Sequence, residues 1–326
     1  MDTLILETKW ITVPIPSHGE YSSLLIDASC IPELNIGLSG YGNRCLILSL
    51  PLDFRVDFYG QKLENITTIY RKNQTENSII IELTNNALFS YFNDTIISLF
   101  FKIKDIKNMV ESTSVFITAI NEWCSFFARG SSDKHDQDAI QGFFGELSVL
   151  NELLFEADST SVNYILNSWR GPYDENNDFY LDTKNIEVKT KRNTKSTIGI
   201  SSEFQLDPEN NKEMELTVVS VEPVSVNGTT IEFVIEKLKD RIYFLSGDLT
   251  ILFAALKRKN LTPLTFKDYD MYQFNLISHI TYNTIVVEFP KLIHSELTPS
   301  LVKIKYDINL KGLDNLIINK IENFNL

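Results

Sequence analysis

Cysteine is scarce: Cys30, Cys45 and Cys124 are the only three in 326 residues. An odd number without close spacing argues against a disulfide framework and against a thiolate metal site. No run of 18 apolar residues occurs, so nothing reads as a membrane span. The opening MDTLILETKW lacks the basic stretch and apolar core of an export signal, which makes a cytoplasmic protein without membrane contact the expectation. The Asn-x-Thr triplets at Asn65, Asn73, Asn93 and Asn227 then read as the chance yield of an Asn- and Thr-rich chain. Positive charge is also in short supply, 30 Lys and Arg against 43 Asp and Glu, a net charge of −13. That deficit excludes indiscriminate polyanion binding, but leaves room for a local basic groove. Glycine and proline are few, while hydrophobic residues make up 43% of the chain and aromatics 11%, enough for a real core. The length suits one large domain or two modest ones.

Residues 1–103 read as a β-rich N-terminal module. The runs TLILETKWITVPI, NRCLILSL, FRVDFYG, SIIIELT and TIISLFFKI are β-branched and aromatic, and are divided by turn formers. Nothing there clusters acid, base and nucleophile, and His18 sits in a polar turn, so the module reads as scaffold. Residues 104–135 form a connecting segment. Its Ile106, Met109, Val110, Ile117, Ile120, Trp123 and Phe127 recur at helical spacing, with a break near Ser112–Ser114. The polar stretch ARGSSDKHDQD marks a domain boundary near residues 129–137, with His135 a solvent residue. Residues 136–326 then form the main domain. Its first helix carries an apolar stripe of Ile140, Phe143, Leu147, Leu150 and Leu154, capped by Asp138. Glu146 lies on the shoulder of that stripe.

The chemistry concentrates in residues 169–206. A hairpin is expected from NDFY, a turn at Asp182–Asn185, and IEVKT. Alternation along the second strand puts Glu187 and Lys189 on one face and Val188 on the other. Two adjacent strands could therefore gather Asp178, Glu187 and Lys189. Two carboxylates with the Val188 carbonyl are hard oxygen donors suited to Mg²⁺, which would polarise a phosphodiester. Lys189 could orient or activate water, or stabilise charge on phosphate. Residues 184–195 carry five cations, Lys184, Lys189, Lys191, Arg192 and Lys195, against Glu187 alone. A cationic edge is what a phosphodiester backbone requires. Spacing by itself leaves this metal site and a merely solvated charged hairpin equally open.

The ordered blocks GFFGELSVLNELL (142–154), SWRGP (168–172), NDF (177–179), EVKT (187–190) and ISSEFQL (200–206) decide between them. In that series the chain resembles the PD-(D/E)XK nuclease superfamily, and more closely a bacterial family of uncharacterised PD-(D/E)XK motif proteins. The resemblance implies an α/β fold: a restriction-endonuclease-like core of a mixed central sheet flanked by helices. It implies Asp178 and Glu187 as metal ligands, Lys189 as the catalytic lysine and Glu146 as the helix-borne acid. It also implies Gln205, at the start of the next helix, as an auxiliary residue touching phosphate or water. Where the superfamily motif has proline, this chain has Asn177. Arg170, in the preceding loop, could reach a phosphate or pin the loop to an acidic partner; both remain open.

Beyond the motifs, LTVVSVEPV reads as a strand. Thr229 and Glu232 form a capping box for a helix to about residue 243, and Asp248 caps a second, LTILFAALKRKN. NLISHITYNTIVVEFP and LVKIKYDINL read as strands paired with each other, and GLDNLIINKIENFNL adds a short helix. His279 and His294 have no acidic or thiol companion at ligand spacing.

The expected function is a Mg²⁺-dependent deoxyribonuclease, with Mn²⁺ as a substitute ion, acting as an endonuclease on DNA in a bacterial restriction or phage-defence system. The alternative is a non-catalytic or partner-gated subunit that works with an ATPase, helicase or methyltransferase. RNA, or modified or branched DNA, is a weaker substrate option, because no motif reads base edges or the 2′-hydroxyl. A homodimer would let two sites cut both strands, but no interface is legible.

Overall fold

The computed structural model describes residues 3–127, 134–209, 212–298, 300–301, 303–322 and 324. Residues 128–133 of the expected boundary segment lie outside them. The chain divides into two compact units, residues 1–130 with 248–264, and residues 131–247 with 265–326.

The first unit opens with helix α1 (Thr3–Thr12), where a strand was expected. The reason is periodicity: Leu6 and Trp10, four residues apart, are buried, while Leu4, Ile5 and Ile11 are exposed, a helical rather than a two-residue repeat. Strands β1 (Leu24–Leu25), β2 (Leu34–Leu38), β3 (Arg44–Leu50), β4 (Gln61–Lys62), β5 (Ile66–Lys72) and β6 (Asn77–Leu83) form an antiparallel sheet. Its order is β1-β2-β3-β6-β5-β4. Leu46, Leu48, Ile79 and Ile81 bury one face completely, and Cys45, Ile47 and Ile80 form a smaller cluster on the other, under Tyr21 and Ile69. The stretch FRVDFYG forms no strand, because no residue in it is buried and alternation alone gives a strand nothing to pack on. TIISLFFKI is likewise not a strand but the end of helix α2 (Phe89–Ile103). That helix is buried on nearly all sides, so its apolar run carries no period by which to tell it from a buried strand. Helix α3 (Met109–Phe126) is capped by Asn108 and runs unbroken through Ser112 and Thr113, both buried.

The second unit begins with helix α4 (Gln137–Phe155), whose cap is Asp136 rather than Asp138; the Asp136 side chain accepts from Ala139 N at 2.8 Å. Helix α5 (Val162–Ser168) leads to the hairpin of β7 (Phe179–Tyr180) and β8 (Lys184–Arg192). After β9 (Thr197–Ile200), the long β10 (Glu213–Val224) lies parallel to β8. Helix α6 (Ile231–Phe244) is capped by Thr230, one residue later than expected. Strand β11 (Gln273–Asn283) then pairs antiparallel with β10. Of the last strands, β12 (Tyr306–Asn309) pairs with β9, not with β11. The pairing completes an apolar cluster of Ile198, Ile200, Leu206, Leu216, Val218, Tyr282 and Ile308. The tail forms strand β13 (Ile317–Ile321) on β11 instead of a helix.

The result is a mixed sheet in the order β13-β11-β10-β8-β7. Helix α4 packs against β8 on one face, and β9 with β12 covers part of the other through the apolar cluster. The fold is thus the expected α/β core with a mixed central sheet, preceded by a β-rich N-terminal module. Late in the chain, helix α7 (Leu249–Arg258), capped by Asp248, belongs to the first unit.

Candidate active site

Two glycines show how the sequence blocks depend on one another. A β-carbon on Gly145 of α4 would fall 1.8 Å from Thr190 Oγ1 of β8. The glycine of GEL is therefore the seat of the threonine of EVKT, and this contact lets α4 approach the sheet. A β-carbon on Gly171 of the WRGP loop would fall 2.3 Å from Glu146 Oε2 and 2.7 Å from Asp178 Oδ1. Those two oxygens are separated by no more than these distances laid end to end, so Gly171 keeps open a cradle between two carboxylates.

The loop around Gly171 is fastened to its neighbours. Arg170 N and Gly171 N both donate to the Asp178 carbonyl, at 2.7 and 3.1 Å. Buried Trp169 donates from Nε1 to Glu146 Oε2 at 3.0 Å. Asp178 precedes β7, donates its N–H to Ile186 O at 3.1 Å, and accepts Val188 N on Oδ2 at 2.7 Å. A hydrogen bond from the amide between Glu187 and Lys189 thus sets the carboxylate's position relative to both.

Glu187 is 2% exposed. Burial chiefly, then the charge of Asp178, pushes its carboxyl up to about 8, against the opposing pull of Lys189. Asn177 adds a weaker pull, although its amide makes its hydrogen bond to the Gln205 carbonyl at 2.7 Å. Lys189 Nζ lies 2.7 Å from Glu187 Oε1 and donates to Gln205 Oε1 at 3.0 Å. The other Glu187 oxygen, Oε2, is buried and receives no hydrogen bond from a described residue. Gln205 Oε1 also accepts Ser201 N at 2.7 Å. Gln205 sits in a turn, not at the start of a helix, because its side chain folds back onto that turn. The structure therefore brings Glu146 to Asp178 around Gly171, and links Glu187, Lys189 and Gln205 in a second, contiguous chain.

The basic rim divides. Lys184 pairs with Glu215 at 2.9 Å and is removed from it. Arg170 donates from Nε to Glu175 Oε1 at 2.7 Å, with Nη2 on the same oxygen, and lies over the Tyr173 ring. Of its two open roles, the acidic partner is the one present here. Lys189, Lys191, Arg192 and Lys195 line one cavity of about 260 Å³ with Gln141 and Asp138. Burial lowers the pKa of Lys191, as expected for a cation drawn from water.

Over most of its length, the chain matches a family model. The model is described as "Putative PD-(D/E)XK family member, (DUF4420)" and covers residues 6–311. The chain belongs to that family. Comparison with curated proteins and with solved structures gives no match. DUF4420 membership establishes a nuclease-type fold at superfamily level and leaves the chemistry to the residues. Among the described residues no group of three or more His, Cys, Asp and Glu is placed to hold a metal ion, and no helix is long and apolar enough to cross a membrane. What the structure does bring together is the carboxylates of Glu146 and Asp178, on either side of Gly171. The cradle at Gly171 and the buried Glu187 Oε2 without a donor are what a small, oxygen-seeking cation fits.

Sequence reasoning missed several supports. Trp169, Gly171 and Asn177 each act through a residue far away in sequence, and only the joint occurrence of the blocks hinted at them. His279 is another case. It is buried, with Nδ1 2.6 Å from Glu152 and Nε2 3.1 Å from Ser148. The acidic companion lies 127 residues away, beyond any ligand spacing. His279 stands opposite Val219, and Val219 opposite Thr190, so this cluster is on the α4 face of the sheet, away from Lys189.

Proposed function

We propose that this DUF4420 protein hydrolyses phosphodiester bonds of DNA with the help of Mg²⁺, or Mn²⁺ in its place. The observation that carries the reading is the Lys189 ammonium held between Glu187 and Gln205, beside a buried carboxylate oxygen that lacks a donor. Asp178, Glu187 and the Val188 carbonyl would hold the ion, with Glu146 contributing from α4. When bound, the ion supplies Lewis-acid polarisation of the phosphate and a more acidic water.

The chain's own residues do the remaining work. Glu187 must release its proton to act as a ligand, and Asp178 is kept in position by Val188 N. Lys189, paired with a carboxylate, serves as a cationic donor that orients the attacking water or stabilises charge gathering on the phosphate oxygens. Gln205 fixes the direction of Lys189, and Trp169 that of Glu146. Lys191, Arg192 and Lys195 take the flanking phosphates. A role as a bacterial restriction or phage-defence endonuclease in the cytoplasm is the setting we draw from the family resemblance.

A second reading has its own observation. Lys189 is 16% exposed and engaged on both sides, as in a site that opens only when an ATPase, helicase or methyltransferase partner, or a second copy, docks. The test is a cleavage series over duplex, single-stranded and branched DNA and RNA, each with Mg²⁺, Mn²⁺ or chelator. Metal-dependent cutting of DNA by the protein alone supports the first reading. Intact substrates throughout, with cutting restored by a co-purified partner, support the second.

A further inference from the structure

The row of side chains that starts at Lys189 does not stop at the catalytic candidate. Lys189 of β8 stands opposite Val218 of β10, and Val218 opposite Ile280 of β11. Registered neighbours share a face, so all three lie on the side away from α4. Strands β9 and β12 cover that face only in part. Beyond their edge is a cavity of about 480 Å³ whose floor is the partly buried Ile280 and Leu310, backed by the buried Val218 and Tyr282, with Lys191, Lys195 and Lys311 around it. Lys191 and Lys195 also line the 260 Å³ cavity that contains Lys189. The two cavities thus share a wall, and that wall is cationic.

Each part of this arrangement restricts the occupant. The volume falls within the roughly 300–1,000 Å³ of small-molecule sites. An apolar floor under three lysines suits a flat, weakly polar body joined to an anion, and repels a bare anion from the floor itself. None of the three lysines makes an ion pair with a described residue. Asp314, also in the wall, offers an acceptor to an N–H group. In a chain of net charge −13, local cations around an apolar floor are not a by-product of composition.

We propose that this cavity receives one unpaired nucleobase, with its phosphate on Lys191 and Lys195, from a strand whose neighbouring phosphate lies at Lys189. The inference rests on the nuclease reading and narrows it to nucleic acid that is single-stranded or locally opened. A base in a continuous duplex cannot leave its stack without losing its pairing and stacking, so unpaired substrate is favoured.

The test is binding, in chelator, so that no cleavage occurs. The four deoxynucleoside 5′-monophosphates are titrated calorimetrically beside 2-deoxyribose 5-phosphate and inorganic phosphate. At least one nucleotide is expected to bind about tenfold or more tightly than the sugar phosphate. Lys311→Glu, an exposed change with no core role, is expected to weaken nucleotide binding several-fold while leaving the melting temperature unchanged. A single-stranded oligonucleotide carrying 2-aminopurine is expected to change emission on binding, and the same base within a duplex to change far less. Equal affinity for nucleotide and sugar phosphate, or binding indifferent to Lys311→Glu, overturns the proposal. A protein that binds nucleotide in this way but never cuts keeps this inference and loses the nuclease reading. One that cuts but shows equal affinities loses this inference alone.

Discussion

Gly171→Ala tests the carboxylate cradle with the smallest available change, one methyl group. The backbone at Gly171 is outside the left-handed region, so the substitution adds no conformational strain. What it adds is overlap: the new carbon would sit 2.3 Å from Glu146 Oε2, 3.0 Å from Glu146 Cδ and 2.7 Å from Asp178 Oδ1. Non-bonded contacts are comfortable at roughly 3.5 Å, so both carboxylates must withdraw by on the order of 1 Å. Glu146 cannot move without stretching its bond to Trp169, and Asp178 cannot move without stretching its bond to Val188 N. Overpacking of this kind costs roughly 1–3 kcal/mol, about 2–4 °C of melting temperature per kcal/mol in a unit of this size. Displacing catalytic groups by ~1 Å costs about 100-fold in rate. Plasmid cleavage with Mg²⁺ and thermal unfolding should be followed on the same preparation. The expected result is a loss of about two orders of magnitude in cutting, with a drop of a few degrees in melting. Wild-type cutting and wild-type melting together would refute the cradle.

Other substitutions probe separate parts of the account. Gly145→Ala drives a carbon into Thr190 Oγ1 at 1.8 Å and is expected to lower stability by roughly 1–3 kcal/mol; adding Thr190→Ala removes that oxygen and should recover much of the loss in a double-mutant cycle by chemical denaturation. Trp169→Phe keeps an aromatic ring beside Phe143 but deletes the bond to Glu146 and trims a fully buried side chain, so cutting is expected to fall by roughly tenfold, as for a hydrogen bond to a charged group, with a lowered melting temperature and an unchanged circular-dichroism spectrum. The pH dependence follows from Glu187, raised from 4.5 to about 8 in the folded protein. A raised carboxyl favours the folded state while it keeps its proton, so its contribution is fully present below pH 4.5, declines as the pH rises towards 8 and is lost above that. In chelator, Glu187→Gln should therefore gain stability relative to the parent as the pH goes from 5 to 8, and lose metal binding; a difference that is flat in pH contradicts the assignment.

The parts of this fold that could be read in the sequence are those whose signal is local. The stripe from Ile140 to Leu154 gave α4, because its five apolar residues recur at helical spacing and all five are buried, even though α5 and α6 cover much of the rest of that helix. The NDFY and IEVKT segments gave the hairpin, because two strand-forming runs and the short turn between them are written in adjacent residues. Where burial is two-sided the signal fails: TIISLFFKI is apolar all round, and only its neighbours decide that it is helix. Pairing between distant strands was also hidden, since β12 chooses β9 for the sake of Ile198, Ile200 and Ile308. At the site, Asp178, Glu187, Lys189 and Glu146 were legible as types in order. Their orientation was not, because it depends on Gly171, Trp169, Asn177 and the Gln205 turn, which act across 10 to 30 residues. The His279 cluster was invisible for the same reason, its partners lying on α4.

Lys189 is the residue on which the nuclease reading most depends. A supercoiled plasmid incubated with Mg²⁺ should be nicked or linearised by the parent protein. Under the same conditions Lys189→Ala should cut at least about 100-fold more slowly, with the same melting temperature to within a few degrees. Plasmid left intact by the folded parent protein across metals and salts, or Lys189→Ala cutting at the parent rate, would contradict the claim that this lysine and its paired carboxylates form a phosphodiesterase site.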